Sequence, residues 1–243
     1  MSILPNLKHI LPENEQPDDL NHEMPILDLT AKRLIDDRVS VEIQNVVASA
    51  NLNQHLDLDV ILQVTPGAKY NQERFPGLVY RLKRPKTTTL LFRSGKMICT
   101  GAKSTRSANT AITQVINALK DQGIVIITTP TPKIENIVAS GDLGGTIDLE
   151  NVAERLFKTM YEPEQFPGLI YRMDDPKTVF LIFANGKIVC TGTKTETGLN
   201  SAIHNLIGTL QLNNLIMPHN DKQVQRDLQY SSARNISISR TGN

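Results

Sequence analysis

The sequence predicts an α+β protein made of two tandem repeats, in which an antiparallel sheet carries helices on one face only. Residues 75–103 and 166–194 align at a constant offset of 91 without a gap, and 17 of the 29 positions are identical. Each repeat also contains several short segments of alternating apolar residues bounded by turn residues, as antiparallel strands do. Each repeat ends in one long segment with the apolar spacing of a helix.

A duplication in fixed register predicts two equivalent halves related by a pseudo-twofold axis. The binding target of such a protein is expected to have approximate twofold character as well, and duplex nucleic acid has it. The predicted boundaries are 39–129 for the first repeat and 130–217 for the second. A flexible N-terminal extension, 1–38, and a flexible C-terminal tail, 218–243, are expected to flank them.

Charge divides unevenly among these segments, although the whole chain carries a formal charge of only +1. Counting Lys and Arg against Asp and Glu gives −4 for residues 1–38, +6 for 39–129, −3 for 130–217 and +2 for 218–243. The two repeats therefore share a sequence pattern but differ in electrostatics. A nearly symmetric body of this kind can bind a nearly symmetric target and still recruit different partners at its two ends.

The elements of each repeat follow one plan. A strand is predicted over 41–50, with every second residue on one face, namely Val41, Ile43, Asn45, Val47 and Ser49. A short helical stretch follows at 56–64, and at 147–158 in the second repeat. Further strands of the first repeat are predicted near 69–74, 78–84, 87–93 and 96–102, with turns at Phe75–Gly77, Arg84–Lys86 and Ser94–Gly95.

The long helices are predicted over 104–121 and 195–212. Their apolar residues recur every three or four positions and form one stripe on each helix. Ser104 and Thr195 are suited to cap the two N-termini. With one striped helix per repeat, the opposite face of the sheet stays uncovered.

The two cysteines, Cys99 and Cys190, are repeat equivalents and are predicted to be buried, reduced thiols rather than a disulfide or a metal site. No apolar run reaches the length of about 20 residues that a membrane helix needs. The first residues, MSILPNLKHILPENEQ, lack the apolar core of a signal peptide. A location in the cytoplasm or nucleoid is expected, or in the nucleus for a eukaryotic source.

Strand periodicity places Cys99 toward the helices and its neighbours on the uncovered face. That face is predicted to be mostly apolar with a few short polar side chains, formed by Asn45, Val47, Ser49, Leu90, Phe92, Ile98 and Thr100 and by Asn136, Val138, Ser140, Leu181, Phe183, Val189 and Thr191. Its cationic border is predicted to comprise Arg81, Lys96, Lys103, Arg172, Lys187 and Lys194. A large exposed apolar surface indicates a binding partner.

Four of the six phenylalanines occupy repeat-equivalent positions. Phe75 and Phe166 precede Pro-Gly in a polar turn, which offers little core to enter, so we expect them to be exposed for binding. Phe92 and Phe183 lie late in a strand on the uncovered face. The other two, Phe157 and Phe180, are predicted to be core residues.

Several motifs occur twice in register: QNVVAS and ENIVAS at 44–49 and 135–140, FPGL at 75–78 and 166–169, PKTxxLxF at 85–92 and 176–183, and TGAK and TGTK at 100–103 and 191–194. Together with YEPEQFPGLIYR at 161–172, they resemble the TATA-box-binding protein family over residues 39–217. The resemblance implies a saddle made from one curved ten-stranded antiparallel sheet, with DNA on the concave side and helices on the convex side.

The resemblance also implies a role for individual residues. Phe75, Phe92, Phe166 and Phe183 would intercalate between base steps at the ends of the site. Minor-groove contacts would come from Asn45, Val47, Ser49, Leu90, Ile98, Thr100, Asn136, Val138, Leu181, Val189 and Thr191. Phosphate contacts would come from Arg74, Arg81, Lys96, Lys103, Arg172, Lys187 and Lys194.

The function implied is that of a general transcription factor, which binds and bends AT-rich promoter DNA as a monomer and nucleates the preinitiation complex for RNA polymerase. The acidic corner Glu162 and Glu164 resembles the docking surface for the B-type general transcription factor, although Gln165 departs from the usual Leu. FPG in both repeats and few lysines in helix 104–121 resemble archaeal members, whereas the basic tail does not. No cofactor or metal is implied.

Three alternatives remain at this point. An enzyme is disfavoured because the five histidines are scattered and no nucleophile elbow, phosphate loop or metal-ligand spacing occurs. A substrate-binding module of a nuclease or glycosylase would need a fused catalytic domain. A paralogue with relaxed DNA preference shares every motif above.

Overall fold

Twelve strands and four helices lie within residues 39–218, the part of the chain that the computed structural model describes. The predicted extension 1–38 lies outside it, and so does the predicted tail 218–243 except Pro218, which is the last residue of a strand. The first repeat contains β1 Ser40–Asn51, α1 Leu58–Val64, β2 Lys69–Asn71, β3 Phe75–Leu82, β4 Thr87–Phe92, β5 Lys96–Ala102 and α2 Thr105–Asp121. The second contains β6 Lys133–Asp142, β7 Gly145–Ile147, α3 Leu149–Arg155, β8 Thr159–Met160, β9 Leu169–Met173, β10 Thr178–Ile182, β11 Lys187–Thr193, α4 Glu196–Leu212 and β12 Ile216–Pro218.

Ten strands form one continuous antiparallel sheet in the order β2-β3-β4-β5-β1-β6-β11-β10-β9-β8. The order reads the same from either end when the repeats are exchanged, and β1 pairs with β6 at the centre. The predicted ten-stranded sheet and its pseudo-twofold arrangement are confirmed. Strands β7 and β12 form a separate two-stranded ribbon that the sequence pattern did not predict.

The long helices begin where capping chemistry predicts. The hydroxyl oxygen of Ser104 accepts the backbone N–H of Ser107 at 3.1 Å, and that of Thr195 accepts the N–H of Gly198 at 3.0 Å. The short helices start two residues later than predicted because Asp57 and Asp148 cap them and fix their first turns at Leu58 and Leu149. The second of them also ends earlier than predicted, at Arg155, where Leu156 has extended backbone angles.

The core lies between the helices and one face of the sheet. Helix α2 packs against β1, β4 and β5, and α4 packs against β11, so the buried stripes of both helices cover the same sheet face. Cys99 and Cys190 are fully buried and free, as predicted. Burial raises the pKa of both thiols, that of Cys190 to about 12.

A bulge in β1 overturns part of the predicted strand pattern. The pairing with β6 shifts between Ile43 and Asn45, so that Gln44 is an extra residue in the ladder. One extra residue reverses the alternation beyond it. Ile43 therefore packs against the core, and Val41 lies in a groove beside Ile203 of α4. The prediction that Val41 and Ile43 share a face with Asn45 was wrong.

The two phenylalanines predicted to be core residues have different environments. Phe180, in β10, is fully buried as predicted. Phe157 is 91% exposed, so that prediction was wrong. It lies in the loop between α3 and β8, where the preceding Leu156 turns toward the core. Phe157 and Lys158 form a turn, in which Lys158 has a φ of 63°, and this turn directs the Phe157 ring to solvent.

Candidate nucleic-acid interface

We call the sheet face opposite α2 and α4 the open face. Its strands align side chains into rows across the sheet. In the first repeat one row runs through Val79, Leu90, Ile98 and Ser49 on four successive strands. In the second repeat the equivalent row is Ile170, Leu181, Val189 and Ser140. All eight residues are half-buried and six of them are apolar, so the two rows form a largely apolar surface.

Two asparagines lie at the centre of this face, on the strands that join the repeats. Asn45 of β1 pairs with Val138 of β6, and Val47 of β1 pairs with Asn136 of β6. The pseudo-twofold axis passes between these two pairs. Asn45 and Asn136 thus lie on the two neighbouring central strands, as predicted, and each amide has one valine beside it.

Backbone contacts fix the orientation of both amides. The Oδ1 atom of Asn45 accepts the N–H of Gly101 at 2.7 Å, and that of Asn136 accepts the N–H of Gly192 at 2.9 Å. These glycines have φ values of 95° and 111°, a region that favours glycine. The oxygens are occupied by backbone donors, and each Nδ2 group carries two hydrogens, so at least one hydrogen per amide remains to donate outward.

The threonines of the TGAK and TGTK motifs flank these asparagines. The Thr100 hydroxyl donates to Asn45 Oδ1 at 3.2 Å, and Asn136 Nδ2 donates to the Thr191 hydroxyl at 3.0 Å. Both threonines are half-buried on the open face. The centre of the face therefore presents two amide groups and two hydroxyl groups among aliphatic side chains.

A phenylalanine pair lies toward each end of the open face. Phe75 and Phe92 meet edge to face with ring centroids 6.0 Å apart, and Phe166 and Phe183 do so at 5.8 Å. Phe75 is 40% exposed and Phe166 is 39% exposed, so the rings are not taken into the core. Phe75 is the first residue of β3, whereas it was predicted to lie in the preceding turn.

A glycine makes room for each pair. A Cβ on Gly77 would lie 2.6 Å from Phe75 Cε1, and a Cβ on Gly168 would lie 2.6 Å from Phe166 Cε1. Real Cβ atoms do not come so close to a ring. The glycine of each FPG motif is therefore the residue that lets the two rings pack as they do.

The predicted cationic border is exposed throughout, as is Arg74, the further phosphate contact that the resemblance implies. The border residues are Arg81, Lys96, Lys103, Arg172, Lys187 and Lys194. Arg81 lies on β3 opposite Thr88 of β4, and Arg172 lies on β9 opposite Val179 of β10. The lysines of the two repeats have different neighbours. Lys103 Nζ donates to the amide oxygen of Gln44 at 2.7 Å, whereas Lys194 Nζ lies 3.5 Å from a carboxylate oxygen of Glu135.

Two hydrogen bonds cross between the repeats on this face. The Ser49 hydroxyl donates to Glu135 Oε1 at 2.7 Å, and Gln44 Nε2 donates to the Ser140 hydroxyl at 2.8 Å. The hydrogen bond from Ser49, with the nearby Lys133 and Lys194, lowers the pKa of Glu135. Ser49 was predicted to contact the minor groove, and its hydroxyl is hydrogen-bonded to a carboxylate of the other repeat.

The acidic corner lies between β8 and β9. Glu162 and Glu164 are exposed, and the carbonyl of Glu162 accepts the N–H groups of Gln165 and Phe166, both at 2.9 Å. These bonds close a turn that joins the corner directly to Phe166. Both carboxylates are available to a partner.

Sequence reasoning missed several residues of the open face. Val79 and Ile170 complete the apolar rows, and strand alternation from the buried Leu78 and Leu169 would have found them. Gln44 and Glu135 had no such signal, because they are the bulged residues of their strands and break the alternation.

Within residues 39–218, no group of three or more His, Cys, Asp or Glu side chains is arranged to hold a metal ion. In the same range, no helix is both long and apolar enough to cross a membrane. The open face instead offers amide donors among apolar rows, aromatic pairs at both ends and a cationic border. This is the chemistry of a surface that binds the floor and the phosphates of a nucleic-acid groove.

The fold and this face define a class of protein: a two-repeat α+β chain with an open sheet for DNA. Residues 40–122 and 131–212 match the family described as "Transcription factor TFIID (or TATA-binding protein, TBP)". The TATA-box-binding protein of Pyrodictium occultum is 48% identical over 74% of this chain and 90% of its own length, and that of Methanocaldococcus jannaschii is 47% identical over 70% and 93%. A solved structure described as Methanococcus jannaschii TBP superposes with a TM-score of 0.66 at 47% identity, covering 71% of this chain and 98% of that one.

The chain belongs to the TATA-binding protein family. Each half of the family match falls within one of the two sequence repeats. The saddle predicted from the resemblance is confirmed, and the family consists of transcription factors rather than enzymes.

Proposed function

We propose that this chain binds TATA-box promoter DNA through its open face, enters the minor groove and bends the duplex. The carrying observation is the pair of asparagine amides whose oxygens are held by glycine N–H groups at 2.7 and 2.9 Å, at the centre of an apolar sheet surface. The family relatives are named for binding the TATA box. Their names support the same target for this chain.

The amide orientation favours A·T over G·C pairs. In the minor groove, A·T pairs present only acceptors, adenine N3 and thymine O2, whereas G·C adds the guanine amino group. Nδ2 donors of Asn45 and Asn136 can pair with those acceptors in either strand orientation. The valines beside them leave the guanine amine without an acceptor, and burying it unpaired is costly.

The phenylalanine pairs support bending. The minor groove is about 6 Å wide, too narrow for a ten-stranded sheet, so the duplex must open to accept it. Phe75 with Phe92, and Phe166 with Phe183, are positioned as wedges that unstack one base step at each end. Apolar wedges kink DNA toward the major groove, and this family is itself a standard example of that behaviour. TA steps deform most easily, which adds to the preference.

The first experiment compares affinity for a TATA duplex and for the same duplex with central G·C substitutions. We expect the TATA duplex to bind at least about tenfold more tightly, since one mismatched pair typically costs 1–3 kcal/mol. Equal affinity for both would instead identify a paralogue with relaxed preference. No binding to either duplex would contradict the proposal.

Bending is tested by replacing one wedge pair. Phe166→Ala with Phe183→Ala should reduce end-to-end energy transfer between dyes on the duplex ends, because one kink is lost. Phe157→Ala is the matched control: it removes a ring that is 91% exposed but lies in the loop between α3 and β8. Unchanged bending in the double variant would contradict the wedge role.

We also propose that Glu162 and Glu164 dock the B-type general transcription factor. The support is their exposure at a turn that ends on Phe166, beside the predicted DNA contact. Reversing both to Lys should weaken the ternary complex with that factor and leave binary DNA binding largely intact. Reversing Glu150 and Glu154 of α3 gives the same charge change elsewhere in the repeat. Equal loss of binary and ternary binding would contradict a docking role.

In this proposal the protein acts as a monomer on DNA in the nucleoid. It nucleates the preinitiation complex and reaches RNA polymerase only through its partners. The exposed cationic border of six residues, together with the exposed Arg74, supports contacts to phosphates on both strands. Sedimentation of the protein bound to a single-site duplex tests the stoichiometry of one chain per duplex.

A further inference from the structure

The two repeats surround their phosphate-directed lysines with different chemistry. In the second repeat, Lys194 Nζ lies 3.5 Å from the Glu135 carboxylate. In the first repeat the equivalent Lys103 contacts Gln44, at 2.7 Å from its amide oxygen. Glu135 and Gln44 occupy the same position of the repeat, 91 residues apart. The acid of one half is replaced by its neutral isostere in the other.

The same exchange occurs independently at a second lysine. Lys187 pairs in the ladder with Asp142, and its Nζ lies 3.9 Å from the carboxylate. In the first repeat Lys96 pairs with Asn51, the equivalent of Asp142. Both lysines of the second repeat therefore have a carboxylate as their direct neighbour, and both lysines of the first have an amide. The nearest carboxylate to Lys103 along this chain of contacts is that of Glu42, which accepts the other end of the Gln44 amide at 3.0 Å and does not itself contact the lysine.

These contacts are too exposed to hold the lysines firmly. The lysine side chains are 55% and 65% exposed and the carboxylates 36% and 37% exposed, and exposed ion pairs of this kind contribute little. A DNA phosphate can therefore replace the carboxylate as the ion-pair partner of each lysine. The carboxylate then stays next to the phosphate, within the Debye length of about 8 Å at physiological salt, and repels it.

A hydrogen bond keeps the Glu135 side chain in that position. Its other oxygen accepts the Ser49 hydroxyl at 2.7 Å, so it is held on the open face. That bond also lowers its pKa, and the carboxylate stays charged at neutral pH.

We propose that the exchange of Gln44 and Asn51 for Glu135 and Asp142 makes the two halves hold the DNA backbone unequally and orients the chain on an asymmetric site. The inference rests on the proposed function. The first repeat supplies the strong, salt-dependent contact, and the second repeat binds a half-site where phosphates attract cations less. Narrow A-tract minor grooves carry the more negative potential. The first repeat accordingly takes the half-site with the longer A-tract.

Salt dependence tests the unequal contact. Each uncompensated lysine adds about 0.9 to the slope of log affinity against log salt. Glu135→Gln with Asp142→Asn should steepen this slope by about 0.9 to 1.8, which corresponds to one or two lysines, and should tighten DNA binding severalfold. Gln44→Glu with Asn51→Asp should make it shallower by a similar amount. Glu150→Gln with Glu154→Gln, on α3, changes the charge equally and should leave the slope nearly unchanged.

Orientation is tested with all four positions exchanged, which keeps the net charge. An iron chelate attached to Ser94→Cys, in the exposed turn between β4 and β5, cleaves the DNA end beside the first repeat. The natural thiols are fully buried and do not compete for the reagent. With a duplex that has an A-tract in one half, the parental chain should cleave at the A-tract end and the exchanged chain at the other end.

The outcomes separate the two proposals. Parental binding to TATA with unchanged slopes in both double variants, or with the same cleavage pattern after the exchange, contradicts the inference alone. A parental chain that does not prefer TATA contradicts the proposed function, and the inference with it. Thermal unfolding of each variant verifies that the exchanges leave the fold intact, since Gln44, Glu135 and Asp142 are half-buried.

Discussion

At the scale of single residues, the proposed recognition of A·T pairs depends on which amide atom of the central asparagines faces outward. The N–H groups of Gly101 and Gly192 fix the orientation of the Asn45 and Asn136 amides. Both glycines have a positive φ, and their N–H groups point at the asparagine oxygens. An asparagine side chain is ambiguous by itself, since it carries both a donor and an acceptor. A glycine 56 positions away removes the ambiguity in each repeat.

Asn136→Asp tests this point with little change in shape. The aspartate keeps an oxygen for the Gly192 N–H but replaces the donor with a charged acceptor, which would face the acceptors of the groove. DNA affinity should fall by at least about tenfold, because a hydrogen bond is lost and a buried carboxylate is left unpaired. Affinity is measured by titration of a labelled TATA duplex.

Asn200→Asp is the control for this substitution. It adds the same charge on an exposed position of α4, on the covered side of the sheet. It should leave affinity nearly unchanged. Equal effects of the two substitutions would mean that overall charge, rather than the amide, decides binding.

At the scale of elements, helices and strands divide the work between stability and binding. Helices α2 and α4 bury their stripes on one sheet face and so keep the other face free. Strand alternation then sends every second residue to each side. In β10, Phe180 enters the core while Leu181 joins the open face.

Phe180→Ala and Phe157→Ala form a matched pair for this division. Removing the fully buried ring of Phe180 should lower the free energy of unfolding by about 3–5 kcal/mol, as large cavities in cores do. Removing the exposed ring of Phe157 should change it by about 0.5 kcal/mol or less. Chemical denaturation measures both, and comparable losses would show that Phe157 packs against the rest of the chain.

At the scale of the whole molecule, the two repeats form a single folding unit. The β1–β6 ladder extends from Ser40 paired with Asp142 to Ser49 paired with Lys133, and one core cluster contains residues of both repeats. Neither half can lose its central strand without exposing the edge of the other. Unfolding should therefore be cooperative across the repeats.

Hydrogen exchange tests this cooperativity in the Phe180→Ala variant. The lesion lies in the second repeat, yet the amides of Leu91 and Met97 in the first repeat should lose protection by the same free energy as those around β10. This follows if the slowest amides exchange by global unfolding. Full protection in the first repeat would mean that the halves unfold separately.

The sequence carried most of this architecture because its repeats are in register. Helix stripes, the caps Ser104 and Thr195, and the buried cysteines followed from spacing and residue type, which are local properties. Val41, Ile43 and Phe157 were misplaced for a different reason. A bulge and a loop reset the alternation there, and both depend on the partner strand or helix rather than on the residue itself.

The duplicated chain by itself determined a twofold sheet with one uncovered, apolar, cation-bordered face, since periodicity and repetition are written in residue order. Only the tertiary structure decided which atoms that face presents. In the folded chain Asn45 accepts a hydrogen bond from Gly101, and Ser49 donates one to Glu135. The equivalent lysines Lys103 and Lys194 contact an amide in one repeat and a carboxylate in the other. Those contacts join strands that are distant in the chain, and their energies depend on a register that no single strand specifies.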